Sequence, residues 1–460
     1  MRNLSFVLLS LTLLVTPTWG QSRLPGPRSP ASTPRPNVEL PTPLTLATAE
    51  ELLLQHNLAI IAARYGVDIA RAQRLTAAVR PNPALTLGAE QFNLNNAPRN
   101  LTTDNSTASQ RTYTFRLDQL LERGNKRGLR TEAAEFQVQA AEAQVLDTIR
   151  QQILQLRQTF YSAVLARENV RVAEENLHLT NDTEQLIRVR VGAGDAPEWD
   201  LIKFQANKVQ FQRDLVSAQL AYQQAVRDLL NLLGAQAGNR AAAVPSKAAS
   251  QMPTPPADSP LDLVGELAIV PLTLPTPLAD LQQAALDNRP DVVAAQRTVD
   301  AAQRTLDLAY AQRHRDIDVA AEYQRVGGDN TVGVTITVPL FLFNTFQGQI
   351  DQGLAQLQQA NVLLDQARLQ ALTDVDKAYQ AYQSSQHVLQ VYTAETLAKA
   401  EESFRIASVT YRQGATSLLE LQDAQRTLNQ TRVASNQASF DYRISLYQLE
   451  LATGRTFLGP

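Results

Sequence analysis

Two stretches of about 60 residues, Leu129–Val191 and Leu354–Gln413, contain neither glycine nor proline. Strands seldom exceed about ten residues, so runs of this length can only be long helices. Ala, Gln, Leu, Glu and Arg dominate them, and most of these are good helix formers. Leu146, Ile149, Ile153, Leu156, Phe160 and Val164 recur at three- and four-residue steps, as do Leu372, Val375, Tyr379 and Tyr382. That is an amphipathic stripe near a heptad period. At about 1.5 Å per residue, each run spans roughly 90 Å.

Both runs have the same surroundings. An opening helix comes first, about Leu46–Val79 or about Leu278–Arg313. Two alternating segments follow, then the long run. A glycine interruption ends it, at Gly192 and Gly194 or at Gly414. A shorter return, Glu198–Leu233 or Ala415–Thr453, stops at Gly234 or Gly454, as helices commonly do. The chain is therefore an internal repeat, 44–234 and 278–454, with a tail at 455–460. Pro-rich linkers occupy 21–43 and 235–277. A return helix and an opening helix laid end to end match one long helix. The expected body is a helical wall with two short helices stacked beside each long one.

The alternating segments read as strands: Ala84–Phe92, Arg111–Asp118, Asp316–Gln324 and Val332–Val338. Tyr113, Phe115 and Leu117 take one face of theirs, and Thr112, Thr114, Arg116 and Asp118 the other. Val332, Val334, Ile336 and Val338 likewise oppose Gly333, Thr335 and Thr337. An apolar and a polar face suit either a half-buried sheet or a barrel wall between lipid and water. Asn93–Gln110 is expected as a long outer loop and Gly327–Thr331 as a short one.

The N-terminus weighs for the barrel. Arg2 precedes the apolar run Phe6–Val15, and small residues follow to Gly20. This predicts a secretory signal peptide over residues 1–20. No later run is apolar enough for a membrane helix, so a membrane crossing requires strands in a closed barrel. Four strands leave two edges open. Three copies supply twelve strands, enough to enclose a channel.

Here the chain resembles the TolC-type outer-membrane efflux proteins over roughly Leu44 to Gly454. The marks are the two-fold repeat, "VPLFLFNTFQGQI" (Val338–Ile350), "LDQLLERGNKRGLR" (Leu117–Arg130) and "LDNRPDV" (Leu286–Val292). "ERGNKR" and "FNTFQGQI" look closest to the CzcC-like branch, which is associated with cation efflux. The resemblance implies a mainly α chain with a membrane β-barrel portion. It implies a homotrimer whose twelve-stranded barrel, set in outer-membrane lipid, continues into a periplasmic helical tube. It also implies two partners, a periplasmic adaptor (membrane fusion) protein and an inner-membrane transporter. The alternative is a periplasmic coiled-coil structural or adaptor protein. An adaptor, however, carries one hairpin flanked by small β domains, whereas this chain carries two hairpins and four strands.

The resemblance also implies site residues. The helix turns contacting the adaptor are Val191, Gly192, Ala193, Gly194, Arg412, Gln413, Gly414 and Leu418. The periplasmic gate comprises Glu420, Asp423, Asp200 and Tyr411, with Glu420 and Asp423 forming an acidic ring. Ser417–Glu420 also reads as a capping box, which leaves Glu420 a local role as well. The arginine that the family places two residues after the second glycine is Thr416 here, so closure falls to residues such as Arg412 or Arg190.

Other chemistry is not expected. The net charge of −3 gives no basic excess for nucleic acid. The chain has no cysteine, its four histidines are scattered, and no P-loop, dinucleotide fingerprint or nucleophile elbow occurs. The reading is a passive conduit without cofactor or metal, not an enzyme.

Overall fold

The computed structural model describes residues 41–90, 111–235, 263–267, 277–392 and 394–455. The expected signal peptide, most of both linkers and the loop at Asn93–Gln110 lie outside them.

Both halves share one plan. In the first, β1 (Leu44–Thr45), α1 (Leu46–His56) and α2 (Leu58–Ala78) lead into β2 (Ala84–Glu90) and β3 (Thr112–Leu121). The long helix α3 (Lys126–Gly192, 67 residues) and its return α4 (Glu198–Leu232) follow. In the second, β4 (Leu263–Val264), α5 (Leu278–Asn288) and α6 (Pro290–Ala311) precede β5 (Ile317–Val326) and β6 (Asp329–Thr337). Then come α7 (Gln347–Val391), α8 (Ala394–Arg412) and α9 (Leu418–Thr453).

Several expectations need correction. Each opening helix is two helices. Asn57 ends α1 and caps α2: its Oδ1 accepts from the Ala59 and Ile60 amides at 3.0 and 3.1 Å. Its Nδ2 donates to the Leu232 carbonyl at 3.0 Å, so the break is held by the end of α4. In the second half Pro290 occupies the first turn of α6, and Arg289 before it takes the extended backbone that proline favours. Gly234 and Gly454, both with positive φ, close α4 and α9 against these breaks, beside His56 and Asn288. The expected stacking of short helices thus takes place at Asn57 and Arg289.

The second long run is also broken, between α7 and α8 at Tyr392. The linker 235–277, finally, is not all surface. Leu263–Val264 pairs in parallel with Leu44–Thr45. Leu263 and Leu267 are buried in the main core with Leu156, Phe160 and Val164 of α3. Of the predicted stripe, these three α3 residues are fully buried, whereas Leu146 is exposed.

The four longer strands form one antiparallel sheet in the order β2-β3-β5-β6, so the halves join through β3 and β5. The β5–β6 hairpin turns on Gly327-Gly328 alone, because Val326 pairs with Asp329; the expected five-residue loop is shorter by three. The register aligns the apolar positions: Leu87 with Phe115, Phe115 with Tyr323, Tyr323 with Val332, and Val319 with Ile336. This face is open to solvent, with Val332 82% and Leu87 65% exposed. The opposite face carries Arg116, whose guanidinium lies 2.8 Å from Asp118 and 3.8 Å from Glu322.

Candidate functional site

The two helix turns share a main-chain pattern. After α3, the amides of Ala193, Gly194 and Asp195 donate to the carbonyls of Val189, Val191 and Arg190. After α8, those of Gln413, Gly414 and Ala415 donate to Val409, Tyr411 and Thr410. The offsets of four, three and five residues repeat in order, which satisfies the last carbonyls of each helix. Gly194 (φ 82) and Gly414 (φ 75) supply the left-handed residue, where a side chain is strained. Gly192, Ala193, Gly194, Arg412, Gln413 and Gly414 are exposed, and Val191 is half-buried.

Leu418 differs from its expected place on the adaptor surface. It is 8% exposed and packs with Ile187, Phe204, Tyr411 and Leu421 in a small core beneath the turns. Leu418 shares a helix face with Leu421, three residues on, and that face meets the core. Trp199 and Leu419, each five residues past its glycine, are instead exposed at 66% and 67%. Their matched spacing was readable; the outward orientation was not.

Arg190 joins the turns. Its guanidinium donates to the Tyr411 carbonyl at 2.9 Å and to the Asp195 carbonyl at 3.3 Å. It also lies 4.7 Å from the centroid of the Tyr411 ring. Burial pushes the Tyr411 hydroxyl pKa up; Arg190 opposes this and the Asp200 carboxylate adds to it. At the Thr416 position, the hydroxyls of Thr410 and Thr416 lie 3.1 Å apart.

Glu420 and Asp423 each have a local partner. The Ser417 amide donates to Glu420 Oε2 at 3.0 Å, and the Glu420 amide donates to Ser417 Oγ at 3.4 Å, completing the capping box. Asp423 pairs with Arg426 at 2.6 Å, with both side chains exposed. The capping reading of Glu420 is thus present.

Glu184 was missed by sequence reasoning. Its carboxylate is nearly buried between α3 and α4, 2.8 Å from both Lys208 and Arg188, and accepts from Gln205 at 3.0 Å. Lys208 first, then Gln205 and Arg188, hold its pKa at about 2. Only the Arg188 spacing was visible in sequence. Farther up, α3 meets α9 through polar contacts. Gln425 donates to Thr180 at 3.0 Å, and Arg432 bridges Glu175 and Glu401 at 3.0 and 2.9 Å.

Residues 50–235 and 281–455 match the model of the family described as outer membrane efflux protein. The cobalt-zinc-cadmium resistance protein CzcC of Cupriavidus metallidurans is 26% identical over 396 residues, covering 85% of each chain. The pyoverdine export outer membrane protein OpmQ of Pseudomonas putida is 25% identical over 394 residues, 82% of this chain and 78% of that one. Among solved structures, CusC superposes with a TM-score of 0.70 at 21% identity, covering 89% of this chain and 92% of that one.

Proposed function

The chain belongs to the outer membrane efflux protein family, and on that premise we propose that it is the outer-membrane exit duct of a three-part export system. The observation that carries this reading is the sheet. Its apolar face is aligned across four strands and open, while the other face holds charged and hydroxyl side chains. Such a sheet is stable between lipid and a water-filled lumen.

Closure supports three copies. Among the described residues, β2 and β6 lie at the sheet edges with no partner on their outer sides. Helix α4 carries Trp199, Ile202, Val209, Val216 and Leu220 at near-heptad steps, all more than half exposed. That seam fits a helix of a neighbouring copy. Three chains complete a twelve-stranded barrel over a periplasmic helical tube.

The two turns form the closed end. Their exposed glycines fit the helical hairpin of a periplasmic adaptor, which delivers cargo from an inner-membrane transporter. Glu420 and Asp423 line the aperture as an acidic ring, and Asp200 and Tyr411 hold the gate. In this system the cargo is selected upstream, and the duct performs no chemistry on it.

Membrane fractionation tests the reading. The protein is expected in the outer-membrane fraction, released only by detergent, with a mass of three chains and ion conductance in planar bilayers. Recovery as a monodisperse monomer without detergent would falsify it.

A further inference from the structure

The helix-side edge of the sheet has an unusual sorting of charge. Ala84, Leu121, Ile317 and Thr337 all lie at this edge, as the register requires. Arg123 is two residues past Leu121, and Arg315 two before Ile317. Continuing the two-residue alternation puts both arginines on the side of the apolar face. Glu122 and Asp316 fall on the side of the polar face. The contacts agree: Glu122 holds Arg130 at 3.0 Å, and Asp316 holds the nearly buried Lys126 at 2.8 Å. Arg123 and Arg315 are exposed, and neither guanidinium has an acidic partner among the described residues.

Apolar side chains crowd the same edge. The Arg315 guanidinium lies 5.7 Å from the centroid of the Phe341 ring, which packs edge-on against Phe346 at 4.9 Å. The flanking Leu340, Leu342 and Phe343 are 67%, 74% and 100% exposed. Guanidinium groups with no acidic partner among the described residues, set beside bare aromatic and leucine side chains, suit one environment, the boundary of a bilayer. There a guanidinium meets phosphate while the apolar groups enter the acyl region. The helices extend from this edge into the periplasm, so the leaflet it meets is the inner one.

We propose that this edge binds the anionic headgroups of inner-leaflet phospholipids, with Arg123 and Arg315 on the phosphate and Leu340, Leu342 and Phe343 among the upper acyl carbons. The proposal rests on the membrane reading above. Continuity with the exposed apolar sheet favours lipid over free phosphate or another protein.

Two measurements test it on the full-length protein. The first is binding of fluorescent phosphatidylglycerol in detergent. The double variant Arg123→Gln/Arg315→Gln should bind roughly tenfold more weakly or worse, from the usual contribution of a basic residue near an anionic surface. Arg405→Gln, on the distant helix α8, should change nothing. Equal affinity in the double variant overturns the proposal. So does displacement of the lipid by excess inorganic phosphate, which would mark a free-anion site. The second uses bilayers of brominated lipid, with Trp199→Phe removing the only tryptophan outside the expected signal peptide. Single reporters Val334→Trp and Phe343→Trp should both be quenched. Quenching at Val334→Trp alone refutes the lipid-binding edge. Quenching at neither refutes the membrane reading itself.

Discussion

Arg190 and Tyr411 lie 221 residues apart in the chain, yet the arginine donates to the tyrosine carbonyl at 2.9 Å while its guanidinium lies 4.7 Å from the ring centroid. The same arginine also reaches the Asp195 carbonyl, so one side chain ties the end of α3 to the end of α8. Where the resemblance implies an arginine, the sequence has Thr416. The guanidinium that ties the two turns together comes from the first half, as Arg190.

Arg190→Gln should loosen this tie. The expected loss is about 1–3 kcal/mol, that of a charged hydrogen bond and its stacking. In planar bilayers the open fraction should rise. Arg190→Lys should be intermediate, because an ammonium keeps the charge but cannot reproduce the planar fork. Identical gating in all three proteins would assign the contact to local packing alone.

Glu420→Gln with Asp423→Asn separates two roles of these carboxylates. If they line the aperture, the double variant lowers cation selectivity and weakens block by trivalent cations. If Glu420 only caps α9, selectivity is unchanged and stability falls by about 0.5–2 kcal/mol. The acidic-ring reading expects the first result, in ion-selectivity measurements.

Glu184 predicts an acid-sensitive hairpin. Its folded pKa of about 2 lies below the ordinary 4.5. A depressed carboxylate pKa stabilises the fold at pH values above the unfolded pKa, and that stability is lost as pH falls from about 4.5 toward 2. Hydrogen exchange in α3 and α4 near the tip should accelerate over this window. Glu184→Gln should already exchange faster at pH 7 and show a flatter pH dependence there.

Arg289 centres a nearly buried ion-pair site. Its side chain is 5% exposed and lies 2.6 Å from Asp291 and 3.0 Å from Asp374, joining α6 to α7. Arg289→Met should cost about 3–5 kcal/mol, because it strands partly buried carboxylates. Adding Asp374→Asn and Asp291→Asn should recover part of that loss in thermal melts.

Much of this fold was legible in the sequence. The glycine-free runs marked the long helices, and period two marked each strand of the main sheet, because both patterns are local. The break at Arg289 was also written locally, in Pro290. The break at Asn57 was not: it depends on the Leu232 carbonyl, which arrives 175 residues later. Glu184 was hidden for the same reason, since Lys208 meets it only once α4 returns along α3. The packing of Leu263 and Leu267 is a third case, because a Pro-rich neighbourhood reads as surface until α3 presents Phe160 and Val164. At the candidate site, the turn glycines were plain, while the direction of Leu418 and the double grip of Arg190 required the assembled hairpins.

The matched hydrogen bonds at the two turns set a rule for counting. If three chains close a ring as proposed, the backbone of these turns repeats six times, while the side chains repeat three times, with Arg190 alternating with Thr410 and Asp200 with Glu420. A partner that reads main-chain shape meets six equal stations and can dock as six copies. One that reads side chains meets two unlike sets and settles on three. The stoichiometry of the docked complex therefore reports which layer of the molecule is being recognised.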